Sequence, residues 1–132
     1  MTNLQLSPKL KISNPNTKKY DLADRIFEFV VDVLDYLNKL SRTSVNRVII
    51  DQCARSSTSI GANYEEADSA HTKKDFSYKM EIMRKEAKET RYWLKVSLIK
   101  NPRTNPEECE SLRDECLQLI RIFSTIINKS RL

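Results

Sequence analysis

The chain has 132 residues, 39% hydrophobic and 31% charged, with a formal net charge of +5. That length and composition suit one soluble domain with a core of its own and exclude a disordered chain or one needing disulfide staples. No uncharged apolar run approaches the roughly 20 residues of a membrane span. The opening MTNLQLSPKLKISNPNTKKY lacks the apolar centre and cleavage site of a signal peptide, so the expected location is cytoplasmic, with no membrane partner.

The four prolines stand at 8, 15, 102 and 106, and Gly61 is the single glycine. An 86-residue stretch without proline, residues 16–101, does not supply the turns an all-β fold needs, so helices are the economical reading. Residues 1–19, with two prolines and many polar residues, read as a flexible arm preceding a bundle domain at 20–132.

The first predicted helix runs from about Asp21 to Leu40. Leu22, Ile26, Phe29, Val33, Leu37 and Leu40 fall on one stripe, widened by Phe27, Val30 and Leu34. Ser44 is the expected N-cap of a second helix, about 45–70, with Val45, Ile49, Cys53, Ser56, Ile60, Asn63 and Ala67 inward. The middle of that helix, ARSSTSIGANYEEA, resembles a loop by composition. Its small residues nevertheless recur at helical intervals, which predicts a continuous helix on a closely packed seam, with a buried polar cluster of Gln52, Arg55, Ser59, Asn63, Glu86 and Glu89. Asn63 is expected to find its partner near Arg55 or on a glutamate of the next helix.

The third predicted helix spans about Lys73 to Lys100, with Phe76, Met80, Met83, Ala87, Thr90 and Leu94 as its inner stripe. Tyr78, Ile82, Tyr92, Trp93 and Val96 lie on the other side, where a monomer should be polar, and so mark an expected oligomer interface. Residues 73–100 hold nine Lys/Arg against four acids, so the helix alone accounts for the net charge. Arg84, Lys88, Arg91 and Lys95 form a ridge beside the core stripe, suited to following a phosphate backbone by charge. The competing reading of that ridge is a solvated helix face.

Asn105-Pro106-Glu107-Glu108 reads as the start of a fourth helix, running to about Asn128 through Leu112, Cys116, Leu119, Phe123 and Ile126. Four helices joined by short connections predict an all-α, antiparallel up-down-up-down four-helix bundle.

Catalytic and metal constellations are missing from this pattern. Cys53, Cys109 and Cys116 have no CxxC spacing and read as reduced structural thiols. His71 is the single histidine, and with Asp68 it makes half of one carboxylate-bundle metal motif. No glycine-rich loop is present to cradle phosphates. The expectation is therefore a non-enzymatic protein without cofactor or metal.

QCARSSTSIGANYEEA (52–67) followed by KDFSYKMEIMRKEAKETRYWLKV (74–96) resembles the four helix bundle protein family, also described as encoded by intervening sequences of bacterial 23S rRNA genes and labelled S23 ribosomal protein. The family's Gln-x-x-Arg and Ser-Ile-x-Ala-Asn-x-x-Glu pattern matches Gln52, Arg55, Ser59, Ile60, Ala62, Asn63 and Glu66. Phe76, Glu86, Glu89, Tyr92, Trp93 and Leu94 match the helix that follows. Gly61 departs from the commoner Pro or Ser, and YEEAD replaces an Ile-Ala-Glu-Gly run. The resemblance covers about residues 20–130. It implies a left-handed bundle assembling into a homopentamer, and kinship to the accessory variability protein of diversity-generating retroelements, which binds nucleic acid and a reverse transcriptase. It implies no catalytic activity, and the cellular role of the family is largely unknown. Two functions follow as expectations: an oligomer that binds RNA or DNA through the third helix, or an oligomeric protein-interaction scaffold that binds no nucleic acid.

Overall fold

The computed structural model of the protein describes residues 21–131; the arm expected at 1–19 lies outside the described residues. Four helices follow one another: α1 (Leu22–Leu37), α2 (Ser44–Asp68), α3 (Lys73–Lys100) and α4 (Pro106–Ser130). No strand occurs among the described residues. α1 and α3 each pack against both α2 and α4, which closes a four-membered ring with the core inside. Side-chain pairs fix the directions. Asn46–Asn101 and Arg55–Glu86 run α2 antiparallel to α3, while Arg84–Ser124 and Cys109–Leu94 do the same for α3 and α4. Arg25–Glu115 and Lys39–Glu108 set α1 antiparallel to α4. The fold is the all-α bundle the sequence predicts.

The helix ends follow local chemistry. Asp21 accepts a hydrogen bond from the Ala23 amide, and Thr72 accepts one from the Asp75 amide. The second helix is capped one residue earlier than expected. Thr43, in extended backbone, accepts from the Asn46 amide at 3.1 Å, so Ser44 is the first helical residue rather than the cap. Asn105 takes a left-handed backbone (φ 47°), which asparagine tolerates, and places Pro106 at the helix start without a side-chain cap. α1 stops at Leu37 rather than Leu40, although Leu40 still packs into the core from the turn.

α2 is continuous through the loop-like stretch, as its periodicity predicts. Cys53, Ser56, Ser57, Ile60 and Ala67 are buried. Ser56 shares a 2.7 Å hydrogen bond with Thr90 of α3, and both residues are fully buried. Small side chains thus bring α2 and α3 close and satisfy each other's hydroxyls across the seam. Gly61 is not there for space, since a Cβ at that position would meet Val30 Cγ2 at an ordinary 3.7 Å.

Four expectations about burial change. Val45 is exposed, and Asn46 takes its place inside. Asn46 exchanges amide hydrogen bonds with Asn101 (2.9 and 3.0 Å) and donates to the Ser41 carbonyl, closing one end of the bundle. Phe27 and Leu34 do not widen the core stripe of α1 but face outward. In α4 the final core position is Ile127, with Ile126 half-buried. Tyr36, outside the predicted stripe, is the largest fully buried side chain among the described residues, and its hydroxyl pairs with Ser97 Oγ at 2.7 Å.

The three cysteines are free and buried. Cys109 donates to the Leu94 carbonyl and Cys116 to the Ala87 carbonyl. Burial pushes the Cys116 thiol up to about 12, and drives Cys53 and Cys109 upward as well. Thiols so placed are packing groups, not nucleophiles.

Candidate nucleic-acid interface

The predicted cation ridge divides when the helices pack. α3 turns Arg84 and Arg91 towards α4: Arg84 Nη1 donates to Ser124 Oγ (3.2 Å), and Arg91 Nε donates to the Arg113 carbonyl (3.2 Å). Both arginines are half-buried. Lys88 and Lys95, one turn out, are exposed and have no hydrogen bond or ion pair among the described residues.

α4 contributes a cation that the sequence reading did not find. Arg113 lies against α3 with its side chain 17% exposed. Among the described residues its one ionic contact is Glu110 at 3.3 Å, and its Nε is buried without a hydrogen-bond partner. Lys88, Arg91, Lys95 and Arg113 surround a groove of about 340 Å³ between α3 and α4, together with Tyr92, Leu117 and Ile120. No carboxylate lines it among the described residues. Periodicity along one helix does not reveal such a grouping, because Arg113 joins it only through antiparallel packing.

The other flank of α3 is organised in the opposite way. Arg55 of α2 reaches Glu86 at 3.4 Å and forms a short ion pair with Glu89, while its Nε donates to Gln52. Trp93 Nε1 also donates to Glu89, at 3.1 Å. The Arg55 guanidinium beside it holds the Glu89 carboxyl below its ordinary range. This network joins four of the six residues expected in one buried polar cluster, but it lies at the surface, with the Arg55 side chain 47% exposed. A long guanidinium spans the rim of a close seam while keeping its head in water. Asn63 does not reach the network; it donates to the carbonyl and hydroxyl of Ser59 within its own helix, so those two residues form a separate pair.

The expected oligomer face is likewise partitioned. Tyr78 and Tyr92 are well exposed, whereas Ile82, Trp93 and Val96 are half-buried, with Trp93 and Val96 packed against the core. Tyr92 stands edge-on to Trp93, with ring centroids 5.1 Å apart and an interplanar angle of 74°, and leans to the basic groove. Val45, Val48 and Ile99 are further exposed apolar residues. The pairing register of α2 and α3 brings Val48 level with Leu98 and Ile99.

A second groove, about 440 Å³, lies between α1 and α4 and is lined by Glu28, Asp32 and Glu115 with Arg25, Phe29, Ser111 and Leu112. Arg25 grips Glu115 through two hydrogen bonds of 2.7 and 2.9 Å. No cluster of three His, Cys, Asp or Glu side chains able to hold a metal occurs among the described residues, and His71 is exposed. No described helix is long and apolar enough to cross a membrane.

The family model for the 23S rRNA-intervening sequence protein matches residues 18–125. A crystal structure of a protein of unknown function from the S23 ribosomal protein family of Bacteroides thetaiotaomicron is similar, with 34% identity and a TM-score of 0.73. The match covers 81% of this chain and 98% of that one. No curated protein matches the sequence. The match to the family model, over most of the chain from α1 into α4, identifies this bundle as a member of the 23S rRNA-intervening sequence protein family.

Proposed function

We propose that this protein is a non-enzymatic, homo-oligomeric four-helix bundle that binds nucleic acid through the basic face of α3 and the adjoining Arg113 of α4. The observation that carries the reading is the α3–α4 groove, where four cations gather with no carboxylate among the described lining residues. Charges already paired within a protein gain little from a polyanion, because binding must first break the internal pairs. Lys88 and Lys95 have none to break. Arg84 and Arg91 donate to neutral oxygens, so they keep their net charge. Phosphates neutralised by this face release counterions, so affinity falls steeply with salt, with a log–log slope of about −3 for four contacts to a single strand. Titrating the protein into a labelled rRNA fragment across a salt series tests this. A flat salt dependence, or unchanged binding after reversing Lys88 and Lys95 to glutamate, overturns it.

The exposed apolar residues support self-association. Tyr78, Val48 and Ile99, with half-buried Ile82, Trp93 and Val96, surround the outer side of α3 and its seam with α2. Apolar residues gathered in this way on a soluble bundle favour an interface between copies. The family resemblance suggests five copies. Light scattering that returns a monomer at micromolar concentration counts against assembly, and with assembly goes the scaffold reading, in which the bundle's partner is a reverse transcriptase or another protein.

A further inference from the structure

The basic groove is more than a stripe of charge. Its cations stand over an apolar floor of Leu117 and Ile120, and an aromatic ring, Tyr92, stands on its rim 58% exposed. The ring is braced edge-on by Trp93, whose indole is itself tied to Glu89. Arg113 supplies a largely buried guanidinium with its Nε unpartnered. A phosphate beside Lys88 and Lys95 would add to the pairing that Glu110 gives that guanidinium at 3.3 Å. A flat ring beside the phosphate would find the Tyr92 face and the apolar floor. The groove's 340 Å³ is of the size that holds a small ligand.

From this arrangement we propose that the α3–α4 groove is a nucleotide subsite for single-stranded nucleic acid, with phosphate held by Lys88, Lys95 and Arg113 and one base stacked on Tyr92. The inference rests on the nucleic-acid reading above and narrows it to strand rather than duplex. A duplex offers its phosphates outward but keeps the faces of its bases stacked inside, so it satisfies the cations and leaves Tyr92 without a partner. An unpaired strand offers both, and stacking on an aromatic side chain is indifferent to base identity.

Fluorescence anisotropy with a short labelled RNA strand and with the duplex of the same sequence, at one fixed low salt concentration, tests the assignment on the full chain. The strand is expected to bind more tightly than the duplex. Tyr92→Ala should weaken strand binding roughly 5- to 100-fold and leave duplex binding within twofold. Tyr92→Phe, which keeps the ring, should bind as the parent does. Because Tyr92 is exposed, both variants should fold, which circular dichroism checks, and their assembled mass should be unchanged. Equal loss for strand and duplex in Tyr92→Ala, no loss for either, or a change in assembled mass overturns the subsite. Strand and duplex bound equally by the parent, with sensitivity to Lys88→Glu, overturns the subsite and leaves general nucleic-acid binding standing. No binding of either probe removes both.

Discussion

The two flanks of α3 use the same residue types to opposite ends. On the α2 side, Arg55 is closed between Glu86 and Glu89, and its neighbours Ser56 and Thr90 are buried against each other. On the α4 side, Lys88, Arg91 and Lys95 make no ion pair among the described residues, Arg113 pairs with Glu110, and the four stand beside an open, partly apolar hollow. A count of positive charge on α3 does not separate these flanks; pairing does. The closed flank acts as a structural seam and the open one as a surface with charge available to a partner.

The largest expected effect comes from forcing the closed flank open. Ser56→Leu places a branched side chain at a fully buried site and removes the hydroxyl pair with Thr90. Overpacking of that kind should cost about 1–3 kcal/mol, read as a lower midpoint in denaturant unfolding with nucleic-acid affinity unchanged once folded. Retained stability would show that the seam is looser than its geometry.

The next effect belongs to the open flank. Lys88→Glu combined with Lys95→Glu should lower RNA affinity at least about tenfold at low salt. The same change should move stability by no more than about 0.5 kcal/mol, since both residues are exposed. Arg55→Ala should do the reverse, lowering stability while leaving RNA affinity within twofold. If Arg55→Ala weakens binding as much as the lysine reversals do, the distinction between the flanks fails.

Two smaller effects sharpen the account of α2 and α3. Gly61→Ala should raise stability by about 0.5–1 kcal/mol, because it removes a flexible residue from a helix interior where a methyl group fits. A loss of stability would mean that Val30 does not accept the contact. The Arg55–Glu89 pair sets the direction of a pH effect. Glu89 has its carboxyl lowered in the folded state, chiefly by the Arg55 hydrogen bond. Its contribution is therefore fully present above the ordinary carboxylate range and is lost as pH falls through the lowered folded value. Thermal melts across acid pH should show a shallower decline for Arg55→Gln than for the parent. Parallel declines would remove this pair from the acid response.

Much of the fold was legible because helix boundaries are local chemistry. Thr72, Asn105 and Pro106 mark starts, and the apolar stripes of α1 and α4 follow the helical period. Thr43 and Ser44 show the limit of that reading, since either hydroxyl suits a cap and only the backbone path of the turn selects Thr43. Tyr36 and Asn46 were missed for a related reason. Each is buried because a partner on α3 or just beyond it, Ser97 or Asn101, takes up part of its hydrogen bonding, and a one-helix periodicity does not contain the partner.

The candidate site was half legible. The α3 cations are visible as a ridge in sequence, but their availability depends on what α2 and α4 place beside them. By itself, then, the sequence determined four amphipathic helices, a continuous α2 through its loop-like stretch, and a concentration of positive charge on α3, because these depend on residues within a few turns of one another. Only the tertiary structure decided that Arg55 is neutralised, that Phe27 and Leu34 face outward, and that Arg113 completes a groove with Lys88, Arg91 and Lys95. Burial and ion pairing are set by distances between helices, and those distances exist only once the bundle has closed.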